Sequence, residues 1–573
     1  MKRTIAVLLA LMMLISSFAA CSNGGNTTTT APANANETQP ASGSTPENTP
    51  AQTDKVLYAG HGLDSDMNPK ATVHRSTPPP GFSVTAVPDT LIGAFGGEPS
   101  VLYPQGQSHS ASGRANLPIY ESLVHFNSIT NEIEPRIAER WEQIDELTIR
   151  FYLHKGIKCH AGYEFTTKDV LWTARQGVAS TFANYIWYVF DVENWVIIDD
   201  YTMDIKTFAP FAPALTYLSN TSVGPLVNQQ AYEEQTPEEY ARNPTGGTGP
   251  YKFVEWIAGD RIIYERFEDY YGEKPYFKNY ILRNISDDVS RALSLEAGEI
   301  DFAYYVDDAS CEAIINSDTA NLVTVPSYQM ILANFNLQIE PLNDIRVRKA
   351  MRYALDVDNI VNLAFSGMAV RADGLFMPSL SAYTPVEADE EQYTYDIEKA
   401  KALMIEAGYP DGFNIDLGTS DTTAWVHIVE MLQNAWAQIG ITCNVSITDN
   451  ATMLAKQTNQ ADFEVMVQRY SSANDEPELW RTRLYSGGPT INNPGQYSNP
   501  RFDELMDLAR ESSDEAFRME CFKEVQKISR ADLPFITLAC PMMTFGVRST
   551  LKGVMPHPYG TSDPRYIRPI TEE

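Results

Sequence analysis

Apolar and polar positions follow two different periods along this chain, and the switches between them mark its elements. From Leu147 to Leu153 the apolar residues Leu147, Ile149, Phe151 and Leu153 alternate with Thr148, Arg150 and Tyr152, and a period of two predicts a half-buried strand. Thr166 and Thr167 then open a helix through Asp169, Val170 and Trp172. Around Ser290 the spacing of Val289, Ala292, Leu293 and Leu295 predicts a helix ending at Gly298, which can take a left-handed cap without a steric penalty. Ile300 to Ala303 follows as a short strand. The second half is the most regular. Asp344 is placed to cap a helix with Val347, Ala350, Met351 and Ala354 on one face, and Asp356 to cap the next, running toward Gly367. Asp396 opens a third helix, which buries Ala400, Leu403, Met404 and Ala407 and stops at Gly408 with Pro410 beyond. A strand from Phe413 to Leu417 leads into a helix from Ala424 to Ile439, closed by Gly440. Strand, helix and strand in that order imply crossover units, a mixed sheet and an α/β domain.

The N-terminus adds a location. Lys2 and Arg3 precede an apolar run from Ile5 to Ile15 that gives way to small residues, the pattern of a secretory signal over residues 1–20. The run is too short to span a bilayer, and no later stretch of about 18 apolar residues replaces it. The mature chain is therefore expected outside the cytoplasmic membrane. Phe18-Ala19-Ala20-Cys21 resembles the bacterial lipobox, with Phe18 in place of the usual Leu. The resemblance implies that Cys21 carries a diacylglycerol and anchors the chain to the outer face of the membrane. From Ser22 to about Thr53 the chain is Asn, Thr, Ala, Ser, Gln and Pro with almost no large apolar side chain, too little to build a core. Such a tether of about 30 residues has a root-mean-square span of roughly 30 Å. Residues 54–84 carry a few hydrophobes and the run Pro78-Pro79-Pro80-Gly81, and 21–86 is read as the lipidated Cys and its tether.

What remains is roughly 490 residues, more than one hydrophobic core usually accommodates, so two or three domains are expected. The formal charge of −31 argues against nucleic acid and anionic lipid surfaces as partners. Of six cysteines, lipidation of Cys21 leaves Cys159, Cys311, Cys443, Cys521 and Cys540, with no Cys-x-x-Cys among them; buried thiols or at most two disulfides are expected. His154, Cys159 and His160 fit no standard zinc spacing, and no metal or cofactor is assigned. Gly-x-Ser-x-Gly, a phosphate loop and His-Glu-x-x-His are all absent, which speaks against an enzyme.

Seven segments then carry a family resemblance. They are Ile119-Tyr120-Glu121-Ser122-Leu123-Val124, Glu134-Pro135-Arg136-Ile137-Ala138-Glu139-Arg140-Trp141, His160-Ala161-Gly162, Phe165-Thr166-Thr167-Lys168-Asp169-Val170, Gly247-Thr248-Gly249-Pro250-Tyr251, Gly298-Glu299-Ile300-Asp301 and Asp344-Ile345-Arg346-Val347-Arg348-Lys349-Ala350. In this order the chain from about Val87 to Pro569 resembles the family 5 solute-binding proteins of ABC importers, which include dipeptide-, oligopeptide- and nickel-binding members. Most of these motifs read as architecture. Gly247, Gly249 and Pro250 form a turn that delivers Tyr251 and Phe253 into a strand, Arg346 and Arg348 serve an ion pair or cap, and Pro135 with Trp141 fixes a core hairpin.

The resemblance implies an α/β, two-lobed periplasmic-binding-protein-like fold, type II and cluster C like, with an extra subdomain in the first lobe. Lobe 1 is placed at 87–325, its extra subdomain at about 120–223, lobe 2 at 326–532, and a return to lobe 1 at 533–573. Ligand is expected between the lobes, with the loaded form delivered to an ABC permease in the membrane. Other classes kept open are a surface sensor or chaperone and, more remotely, a hydrolase. Peptide binders of the family resemble one another in a loop where an aromatic residue is followed three positions later by an Asp that pairs with the α-ammonium group. Here the strand Phe463 to Gln468 leads to Tyr470-Ser471-Ser472-Ala473-Asn474-Asp475-Glu476-Pro477, and alignment on Glu476-Pro477 puts Ala473 where that Asp is expected. Asp475 substitutes only if the loop is shifted. Tyr470, Ser471, Asn474 and Asp475, with Trp425 on a neighbouring loop, are the candidate ligand contacts. They suit a neutral polar solute such as an oligosaccharide, with peptide as the alternative and a core role as the alternative for Trp425.

Overall fold

The computed structural model describes residues 72–74, 89–107, 110–127, 132–366, 368–458, 462–472, 475–487, 492–554 and 556–570. Its helices start where short polar side chains can accept from the first free amides. Asp344, Asp356 and Asp396 accept from the N–H groups of Arg346, Asn359 and Lys399, opening Ile345–Tyr353, Val357–Ala364 and Ile397–Ala407. Thr166 and Asp169 form a reciprocal capping box at the head of Thr167–Ala179. Gly408, one residue past its helix, has φ of +94°, which a side chain would strain.

One 13-stranded sheet runs through both lobes. Its path is Ile441–Thr448, Phe413–Ser420, Val465–Ser471, Gln329–Phe335, Phe535–Arg548, Phe302–Tyr304, Thr90–Phe95, Asn279–Asn284, Arg261–Arg266 and Tyr251–Ile257. The strand Phe535–Arg548 belongs to both halves. Its first residues pair antiparallel with Gln329–Phe335 and Ala369–Arg371, its last with Phe302–Tyr304 and Ala320–Pro326. The second connection is the short step from Ala320–Pro326 through Ser327 and Tyr328 to Gln329–Phe335. Two packed lobes joined by two strands follow from this arrangement.

In lobe 2, Phe413–Ser420 pairs parallel with Ile441–Thr448 and Val465–Ser471, the expected crossover, and the connecting helix Thr423–Ala437 buries Ile428, Val429, Leu432 and Trp436 against them. In lobe 1 a separate four-stranded antiparallel sheet, Ala138–Asp145, Thr148–Leu153, Thr202–Lys206 and Val196–Asp199, has its own core around Phe151, Trp187 and Ile205. Thr72–His74, inside the stretch read as tether, lies as an edge strand against Leu322–Thr324. The rest of that stretch, the signal and Cys21 lie outside the described residues. Among the described residues no helix is long and apolar enough to cross a membrane.

The architectural motifs act locally. Arg346 pairs with Asp344 at 2.6 Å, while buried Arg348 donates to the carbonyls of Leu342, Asn343, Asp532 and Leu533. Gly247 and Gly249 are small because the chain at Pro118 and Ile119 passes over them: a Cβ would stand 2.2 Å and 2.6 Å from that backbone. Pro135 departs from the expected core position. It is exposed, and Trp141 is only half-buried, because their strands lie at the subdomain surface.

Candidate functional site

The lobes are joined at Ser327 and Tyr328, and three other segments converge there. Ser327 N–H donates to Pro541 O at 2.9 Å, Tyr328 N–H to Pro558 O at 3.1 Å, and Ser472 N–H to Tyr328 O at 2.9 Å. The end of Val465–Ser471, the turn at His557 and the two joining strands therefore meet at one place. The His557 ring stands edge-on to Tyr328 at 5.7 Å and to Phe126 at 6.1 Å. The Tyr328 hydroxyl is buried without a hydrogen-bond partner among the described residues. Burial first, then the nearby charge of Asp475, holds its pKa well above the usual value.

Successive residues of Val465–Ser471 point to opposite faces of the sheet. Arg469 shares a face with Trp425, its guanidinium 5.9 Å from the indole centroid. Tyr470 points the other way, packed edge-on to Phe535 with Arg483 4.4 Å from its ring centroid. Its hydroxyl accepts from Asn334 Nδ2 and Gln468 Nε2, each at 3.2 Å. Tyr470 and Trp425 thus line no common surface. Trp425 is 6% exposed and packs with the lobe 2 core. Ser471 is half-buried opposite Gln329. Asn474, with Ala473, lies outside the described residues. Asp475 is 6% exposed, and its Oδ1 accepts from Ser381 N at 2.8 Å and Ser381 Oγ at 3.1 Å. That carboxylate holds the loop to a neighbouring segment.

Sequence reasoning missed Tyr328, Arg469, His557 and Tyr559. Burial raises the pKa of Tyr559, and the charges of Arg114 and Arg469 pull it back, so cations from both lobes flank one ring. Arg469 had a visible signal, the single charge in the strand Val465–Ser471. His557 and Tyr559 had none, because they follow in sequence a strand that serves both lobes.

The lobes touch again at the subdomain. Ala212 N–H donates to Arg510 O at 2.9 Å, the Arg510 guanidinium lies 5.2 Å from the Phe211 centroid, and Leu479 packs against the cores on both sides. Arg510 Nε stands 3.6 Å from Glu478 Oε1, while Glu478 Oε2 is buried without a partner among the described residues. Burial pushes the Glu478 carboxyl up to about 8, Arg510 and Arg481 offsetting only part.

The histidines considered as ligands are otherwise engaged: His160 Nε2 lies 2.9 Å from Gly249 O, and His154 stands against Tyr271. Among the described residues no three His, Cys, Asp or Glu side chains converge to hold a metal ion.

The profile of the bacterial extracellular solute-binding proteins, family 5, matches residues 132–492. The dipeptide-binding protein of Escherichia coli (strain K12) is 28% identical over 507 residues, covering 82% of this chain and 93% of that protein. The glutathione-binding protein GsiB of Pectobacterium atrosepticum is 28% identical over 488 residues, covering 82% and 93%. Among solved structures, the ABC transporter-associated binding protein DppA of Helicobacter pylori, in complex with the peptide STSA, superposes with a TM-score of 0.68 at 26% identity, covering 84% of this chain and 98% of that one. Family members of this kind are extracytoplasmic binding proteins, not enzymes. The chain belongs to the bacterial extracellular solute-binding proteins of family 5, the solute-capturing components of ABC importers.

Proposed function

We propose that the chain is tethered to the outer face of the membrane through Cys21 and captures a small, neutral polar solute, such as an oligosaccharide, between its lobes for an ABC permease. The observation that carries the ligand reading is the engagement of Asp475, buried and already accepting two hydrogen bonds from Ser381. With Ala473 at the aligned position, an α-ammonium group held at this loop would lack a dedicated carboxylate, and a buried charge without one costs several kcal/mol. Peptide capture is the second reading, favoured by the names of relatives that bind dipeptide and glutathione.

Calorimetry separates them. The expected result is saturable heat with β-linked oligosaccharides and none with dipeptides or glutathione. Tight dipeptide binding that persists in Asp475→Asn would overturn the reading of the loop. Labelling of intact cells with a radioactive lipid precursor, compared with Cys21→Ser, tests the anchor.

A further inference from the structure

The seam between lobe 2 and the subdomain of lobe 1 covers a carboxyl group. Glu478 stands at the head of the short helix Glu478–Arg481, and the next residue, Leu479, packs against the subdomain core on one side and a lobe 2 core on the other. From the subdomain, Tyr217 is 2% exposed and lies within the field of Glu478 and Glu476, while Tyr188 and Tyr217 both act on the charge of Arg510. Lobe 1 thus supplies the roof over Glu478, and 4% of that residue stays exposed.

What meets the carboxyl there is too little for an anion. A buried carboxylate is stable only when donors satisfy both its oxygens. Arg510 Nε stands 3.6 Å from Oε1, beyond hydrogen-bond reach, and Oε2 has no partner among the described residues. The other charged groups facing Glu478 are already matched. Arg481 is paired with Asp507, whose own charge repels Glu478, and Arg518 is paired with Glu476 at 3.0 Å. Glu476 repels it too, and its Oε1 accepts from the Glu478 N–H at 3.1 Å. A proton on Glu478 removes the unmatched charge and leaves untouched both the packing of Leu479 and the bond from Ala212 N–H to Arg510 O. Once the lobes part, water reaches both oxygens, and the carboxyl no longer needs the proton.

We propose that Glu478 is a proton-operated latch between the lobes: it holds a proton while lobe 1 covers it, ionises when the lobes part, and so ties each parting to the release of one proton. Acid then holds the lobes together and base frees them, whatever solute lies between them. Burial in the seam pushes the carboxyl up to about 8, and in water it returns toward 4.5. Contact between the lobes therefore weakens as pH rises between those values, by up to about tenfold per unit, and is level above them. The Ala212 N–H, which donates across the seam to Arg510 O, reports the parting. Its hydrogen exchange is followed in the whole mature chain without solute, from about pH 5 to 9, and corrected for the intrinsic rate. Protection in the natural chain should fall by about tenfold or more across the range and level off near pH 8. Glu478→Gln cannot titrate and should give a flat profile; Glu478→Met serves the same purpose if glutamine does not fold, circular dichroism checking both. A flat profile in the natural chain would overturn the proposal. So would an equal decline in the variants, since another group, such as His557 at the joint, would then carry it.

Discussion

Glu121 in the interior of lobe 1 and Glu478 at the seam between the lobes are buried alike, each 4% exposed, yet they titrate in opposite directions. For both, burial is the largest influence and pushes the carboxyl up. Glu121 ends below the ordinary value because donors surround it: Oε1 accepts from Tyr270 Oη and Arg565 Nη1, each at 2.8 Å, Oε2 accepts from Tyr271 Oη at 2.7 Å, and Arg136 adds its charge. Glu478 has a cation at 3.6 Å, an oxygen with no partner, and Glu476 nearby to repel it. The difference lies in donors aimed at the carboxylate and not in depth. The donors around Glu121 all belong to lobe 1, whereas Glu478 lies where the two lobes meet and, among the described residues, neither lobe aims a donor at its second oxygen.

The largest way to break this contrast is Glu121→Ala, which takes one of two carboxylates from buried Arg565, leaving Asp563 at 2.6 Å, and is expected to lower stability by about 2–3 kcal/mol, read by urea unfolding. Acid should mimic it. A carboxyl lowered in the fold stabilises above its unfolded value near 4.5, and that contribution is lost as pH falls through the lower folded value. Arg510→Ala should weaken the contact between the lobes by about 1–3 kcal/mol, visible as a larger radius of gyration in scattering without ligand; an unchanged radius would mean that the seam does not hold the lobes. Tyr271→Phe sharpens the comparison by giving Glu121 an unmet oxygen of its own, with a loss of about 1–1.5 kcal/mol and an upward-moving carboxyl. Near pH 5 the smallest effect belongs to Glu478→Gln. Because its folded value, about 8, exceeds the unfolded 4.5, the natural chain should lose stability as pH rises between those values and stay level above them. Glutamine should flatten that decline and match the natural chain near pH 5, within about 1 kcal/mol; an unaltered slope would show that Glu478 is ionised in the fold.

What was legible from sequence was local. Asp344, Asp356 and Asp396 announce their helices because a cap acts on amides two or three residues away, and Gly408 announces an end because only its own φ is involved. The crossover of lobe 2 was readable for the same reason. The site was less so. That Tyr470 faces away from Trp425 depends on the register of Val465–Ser471 against Gln329–Phe335, which no pattern within either segment encodes. The pairing of Glu121 with Arg565 spans 444 positions. In the candidate loop the tie between Asp475 and Ser381, 94 positions apart, was invisible.

The strand Phe535–Arg548 has a consequence for how such a protein is made and altered. Fourteen residues long and buried over all but its last position, it lies in the middle of the one sheet that runs through both lobes, and it comes near the end of the chain. Neither lobe can complete its sheet during synthesis until that strand has left the ribosome and passed the secretion pore, so both must wait as open-edged intermediates and then close nearly together. The same strand bars the exchange of whole lobes between relatives, since any cut that frees one lobe removes the middle of the other. Recombination between relatives is therefore confined to loops outside that strand, such as those at Ser472 and His557, while the framework passes on intact.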